Sequence, residues 1–196
     1  MKNLDRVYRL MFDSRYQSLA LADPLLLASP ALHFNSTSKA GLWESIDLIS
    51  IDSHKPEPDF WQIEGVPAGF ACNNRVLKHI PVLWAGKICE PLPVRHGGRT
   101  LWLGNITEHG CWNALDVARC VWPSGVPGIG LPSHYTFFPH RLGFMSVLTV
   151  PETCEHELYV HEYSGDPTNE FKGGVEREKL TGLSFKEIWS DGTSEL

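Results

Sequence analysis

Hydrophobic and polar positions alternate with period two near the start of the chain. Residues 7–12, VYRLMF, set Val7, Arg9 and Met11 against Tyr8, Leu10 and Phe12, which predicts a strand with both faces partly covered. Residues 45–52, SIDLISID, predict a second strand, ended by Pro56 and Pro58. From Asn73 the period changes. Val76, Leu77, Ile80, Leu83 and Trp84 recur at spacings of three and four, as one helix face requires, with Asn73 or Asn74 as the cap and Pro81 disturbing the second half. Residues 88–95 and 99–107 flank a glycine pair, a hairpin signal. Residues 122–133, WPSGVPGIGLPS, are too dense in Gly and Pro for a helix or a central strand and read as a surface loop. Short strands are expected at 135–138, 143–150 and 157–163.

Near the end, REKLTGLSFKEIW poses a question: why does a charged run stop at one glycine and restart as an apolar alternation? Phe171 and Val175 lie four apart with Leu180 beyond, so a short helix can dock on a core, although Gly173 and Gly174 weaken it. Gly182 can take the left-handed conformation that closes the helix, after which Leu183, Phe185 and Trp189 fall mainly on one strand face. The whole reads as α+β: one domain over residues 1–196, mostly antiparallel sheet, one mid-chain helix, and one C-terminal helix followed by a final strand. At 196 residues and 42% hydrophobic, the chain suffices for one sizeable core rather than two.

The formal charge of −6 argues against nucleic acid, whose phosphates need clustered Lys and Arg, and leaves room for a basic protein partner. The first residues, MKNLDRVYRLMF, carry scattered charges and lack the apolar stretch of a secretion signal or membrane span, so a cytoplasmic protein is expected. Five cysteines, Cys72, Cys89, Cys111, Cys120 and Cys154, suit reduced thiols better than a disulfide framework.

Catalytic signatures are weak. CEHELYVH, Cys154 to His161, holds three potential metal ligands, but His156 and His161 are five apart, whereas the zinc-protease helix needs four; on a strand an odd separation sends them to opposite faces. SGVPGIG is not followed by Gly-Lys-Ser/Thr, and no Gly-x-Ser-x-Gly occurs. The carboxylate pairs Glu57 and Asp59, and Glu152 and Glu155, read as solvated loop charges.

Several short blocks carry a different signal. In chain order they are VYRL and RYQSL (residues 15–19), PDFW (58–61), the helical segment 74–84, CEPLPV (89–94), NALD (113–116), a Phe-Pro-x-Arg-Leu element (138–142) and LTGLSFKEIW (180–189). Together they resemble an immunity-protein family of bacterial polymorphic toxin systems, the eleventh of the numbered immunity families, over about residues 7 to 189. The Gly/Pro-rich stretch and the glycines of the last helix depart from that pattern. The resemblance implies a non-enzymatic inhibitor without catalytic residues, metal or cofactor, whose partner is a cognate toxin encoded by a neighbouring gene. A toxin-facing surface is expected at Asp52, Glu57, Asp59 and Trp61, with Trp122 in the Gly/Pro-rich loop. Asp59 and Trp61 also suit a packing role, and Trp122 a plug beneath its loop. The alternatives are a small hydrolase or metal-dependent enzyme using Cys154 to His161, and a homo-oligomer with an aromatic subunit interface.

Overall fold

A computed structural model describes residues 5–84, 87–110, 112–153, 157–163, 166 and 168–192. Among the described residues, ten strands form two sheets. The first has the order β10-β1-β9-β8, with β1 Arg6–Phe12, β8 Val147–Leu148, β9 Tyr159–Glu162 and β10 Leu183–Ser190, all neighbours antiparallel. The second runs β2-β3-β6-β7-β5-β4, comprising β2 Leu19–Leu21, β3 Asp47–Ser50, β4 Phe60–Gln62, β5 Phe70–Cys72, β6 Cys89–His96 and β7 Arg99–Ile106. Its pairs are antiparallel except β3 with β6. The architecture is α+β.

Local chemistry accounts for the elements. Asn73 Oδ1 accepts from the backbone N–H groups of Arg75 at 3.0 Å and Val76 at 3.2 Å, capping helix α1 Asn74–His79. Pro81 lacks the N–H that would continue it, so the chain breaks at Ile80 and restarts as α2 Pro81–Trp84. Gly97 (φ 55°) and Gly98 (φ 77°) supply the two left-handed residues that a tight β6–β7 hairpin demands. Of the later expected strands, 135–138 is reduced to an isolated Leu115–Phe137 bridge, and 143–150 to the two residues of β8. The reason is Pro139, which opens the short helix α3 Pro139–Leu142.

Three apolar layers hold the sheets. The central one lies between them, where Tyr8, Leu10 and Val160 of the first sheet meet Phe60, Phe70 and Ile106 of the second, closed by Val76 and Leu83 and by Phe171 and Val175 of helix α4 Phe171–Arg177. Burying each of these aromatic rings stabilises the fold by about 1.5–3 kcal/mol. The outer face of the first sheet carries Val7, Leu148, Tyr159 and Trp189 beneath residues 112–153. The outer face of the second carries Leu48, Trp61, Leu92, Leu101 and Leu103 beneath the excursion between β2 and β3.

The last strand corrects one expectation. Val7 pairs with Trp189 but Tyr8 with Glu187, a bulge that places Ile188 out of register. The extra residue reverses the alternation, so Leu183 and Phe185 pack in the central layer whereas Trp189 packs in the outer one.

Candidate interaction surface

Three of the five residues expected to face a partner are interior. Trp61 is 1% exposed in the outer layer of the second sheet. Trp122 is buried, its Nε1 donating to the Val117 carbonyl at 3.3 Å, and it plugs the base of the Gly/Pro-rich loop. Asp59 is a buried latch: Oδ2 accepts from Thr181 N at 2.9 Å, Thr181 Oγ1 at 3.1 Å and Arg75 Nη1 at 3.2 Å, while Oδ1 accepts from Asn73 Nδ2 at 2.9 Å. It therefore ties the helix cap to the tail. The other two remain at the surface, but each is neutralised by a cation: Asp52 by Lys55 at 2.8 Å and Glu57 by Arg99 at 2.6 Å. The Lys55 contact holds the Asp52 carboxyl below its usual range. The expectation of a partner-facing position is thus corrected for Asp59, Trp61 and Trp122, which are buried.

The Gly/Pro-rich loop is ordered and uncharged. Its Ser124 hydroxyl lies 2.9 Å from the carbonyls of both Val126 and Ile129, and Val121 and His134 bridge its ends. Val126 and Ile129 are exposed.

Of the catalytic alternative, Cys154, Glu155 and His156 lie outside the described residues. His161 sits on β9 and is 1% exposed; its Nε2 is 3.4 Å from Asp5 Oδ1, and among the described residues neither ring nitrogen makes a well-formed hydrogen bond. Among the described residues no group of three His, Cys, Asp or Glu side chains could hold a metal. Cys72, Cys89 and Cys120 are buried, and burial pushes their thiols up, away from nucleophilic thiolate. Burial also lowers the His161 imidazole below its ordinary 6.5, against the upward pull of Asp5 and Glu170. A lowered histidine stabilises the fold above 6.5, and that contribution is lost as pH falls. Urea midpoints between about pH 7 and about pH 5 should therefore show a loss of up to about 1.4 kcal/mol per pH unit that is absent in His161→Gln. Equal slopes in the two proteins would place the acid sensitivity elsewhere.

A concave feature that combines apolar walls with carboxylates lies where no motif pointed. Pro24 and Pro30 open the 3-10 helices Pro24–Ala28 and Pro30–Leu32, and Asp23 and Ser29 cap them. Such short helices cannot bury a full face. Leu26 and Leu32 turn inward onto the Trp61 layer, and Leu25 is left 83% exposed. Across from them runs segment 42–47, where Leu42 is 94% exposed and Trp43 Nε1 is anchored on the Pro93 carbonyl at 2.8 Å. Between the two walls opens a cleft of about 570 Å³, lined by Leu26, Leu32, Leu42, Trp43 and Ile46 with Asp23, Glu44, Asp47 and Arg95. Among the described residues Arg95 is its one cation, and it is locked to Asp47 by two bonds of 2.6 and 2.8 Å, which hold the aspartate below its usual range. Asp23 and Glu44 make no ion pair among the described residues.

No family model, curated protein or solved structure matches this chain. Among the described residues, no helix is long and apolar enough to cross a membrane.

Proposed function

We propose that this chain is an immunity protein: a non-catalytic inhibitor that binds a cognate antibacterial toxin, the product of a neighbouring gene, and protects the producing cell in interbacterial competition. The observation that carries the reading is the cleft between residues 22 and 47, where exposed leucines border carboxylates that form no ion pair among the described residues. Isolated exposed leucines are unremarkable, but aliphatic side chains grouped around a concavity mark an interaction site. An inhibitor needs such a patch, since a few well-packed anchors supply most binding energy and unneutralised charge speeds capture.

The sequence blocks that resemble the immunity family support the reading in a second way, because they meet in space. PDFW and the tail are joined by the Asp59–Thr181 bonds, and Gly182 lies against Phe60; VYRL pairs with the tail as β1 and β10; NALD and the Phe-Pro element are joined by Phe138 N–H donating to the Ala114 carbonyl at 2.8 Å. They form a shared scaffold. The 22–47 cleft lies outside all of them, as a partner-specific surface should.

Co-expression with the neighbouring toxin gene in a bacterium should restore survival and yield a complex that co-purifies. Leu42→Arg, at a side chain with no fold role, should weaken that complex roughly tenfold or more, as expected for an interface anchor. Equal killing with and without the protein would overturn the reading.

A further inference from the structure

The cleft also defines the chemistry of what enters it. Its floor and walls, Leu26, Leu32, Leu42, Trp43 and Ile46, are apolar and accept an aliphatic or aromatic side chain. Its volume of about 570 Å³ exceeds that of any single side chain, so it takes a segment rather than one residue. Asp23 stands on one wall and Glu44 on the other. Any partner that covers the mouth removes these carboxylates from water, which costs several kcal/mol per ion unless a cation replaces the lost hydration. Arg95 cannot serve both, because Asp47 already holds its guanidinium by Nε and Nη2. The cation must come from the partner.

Several carboxylates elsewhere, by comparison, have a cation of their own. Asp52, Glu57 and Asp59 each have an internal cation, in Lys55, Arg99 and Arg75 respectively. Asp13 is paired with Arg15, and Glu162 with Lys172. What sets Asp23 and Glu44 apart is that they stand at an apolar cleft beside exposed leucines.

We infer that the 22–47 cleft is a docking groove for a basic segment of the partner protein, in which an aliphatic or aromatic anchor is flanked by Lys or Arg side chains that pair with Asp23 and Glu44. That this partner is a toxin rests on the function proposed above; the chemistry of the groove does not. Acidic segments are repelled, and purely basic ones lack an anchor.

The test uses the full chain and three fluorescent twelve-residue peptides: one of Lys and Leu, one with Glu in place of Lys, one with Ser in place of Leu. Fluorescence anisotropy should show the Lys/Leu peptide binding at least about tenfold more tightly than either of the others, and losing affinity as salt rises. Asp23→Asn with Glu44→Gln keeps the cap acceptor and the shape of both side chains, and should weaken that binding about tenfold or more. Glu176→Gln with Glu187→Gln makes the same change in net charge on the other sheet and its helix, and should change it less than about twofold. Equal weakening by both pairs of substitutions, equal binding of the Lys/Ser peptide, or no binding of the Lys/Leu peptide would overturn the inference. So would a chain that sediments as a dimer and is converted to monomer by Leu42→Arg, since a second copy would then be the occupant. Peptide binding without rescue in the co-expression experiment sinks the toxin reading and leaves the groove; rescue without peptide binding does the reverse.

Discussion

Gly182→Ala should destabilise the protein by at least about 4 kcal/mol, the exceptional end of the range for one substitution and a large part of the stability of an ordinary domain. Two effects combine at this position. Its φ of +97° is a conformation that side chains other than glycine rarely adopt, at a cost of about 1–3 kcal/mol. A Cβ there would also lie 2.0 Å from the Phe60 carbonyl oxygen and 2.7 Å from Pro58 Cβ. The clash is with backbone that cannot rotate away. Phe60 N and Asp59 N both donate to the Thr181 carbonyl, at 3.0 and 3.2 Å, so displacing the tail also strips Asp59 of its partners. Gly128→Ala provides the comparison, because its φ is +80° but nothing lies within 4 Å of its Cβ position; it should cost only about 1 kcal/mol. Urea unfolding of the two variants distinguishes the causes. Equal losses would mean that backbone freedom, and not the close approach of the tail to Phe60, is what glycine supplies at 182.

The same tail shows which parts of this fold are legible in a sequence. The Asn73 cap and the Gly97–Gly98 turn are effects of neighbours within about four residues, and the chain displays both locally. Gly182 does not close the helix as expected, because α4 ends at Arg177 and Lys179 (φ 51°) takes the left-handed turn, leaving Gly182 to lie against Phe60. The burial of Asp59 is not local, since its partner Thr181 is 122 residues away and a short acidic-aromatic run looks the same whether it faces water or a latch. Whether Asp52 and Glu57 are free or paired likewise depends on tertiary neighbours: Lys55 happened to be near in sequence, but Arg99 arrives on another strand.

The cleft was missed for a related reason. DPLLLASPAL is rich in leucine, which is most often buried, yet its two prolines cut it into helices too short to present one face inward. That punctuation was the available signal: three consecutive leucines bounded by prolines cannot all be buried. The bulge at Ile188 had no comparable signature, because one extra residue reverses the faces of a strand without changing its composition.

Glu157 is the second position where a small change should have a large effect, and here charge rather than space decides. Its Oε2 accepts from Tyr135 OH at 2.7 Å and Tyr159 OH at 2.6 Å, while Oε1 accepts from Arg9 Nη1 at 2.7 Å. Three donors and two oxygens fit a carboxylate only. In Glu157→Gln, one orientation of the amide turns its N–H₂ toward the guanidinium, donor against donor, and the other turns it toward both phenols, which can accept only by turning their own O–H away and leaving it without the carboxylate. The expected cost is about 3 kcal/mol. The two tyrosines add a dependence on alkaline pH. Burial first, and the Glu157 charge second, raise both phenols well above the ordinary value of 10.0. A raised phenol binds its proton more tightly in the native state, so this stabilisation is complete below 10.0 and is lost as pH rises beyond it. Each tyrosine then contributes a decline of up to about 1.4 kcal/mol per pH unit, and Tyr135→Phe should remove one such share. If urea midpoints between about pH 9 and about pH 11 fall equally steeply in Tyr135→Phe and the unsubstituted chain, Tyr135 does not titrate against Glu157. The Glu157→Gln loss would then have to arise at Arg9 or Tyr159, which places the energetic weight of the network on the ion pair or on the more deeply buried phenol.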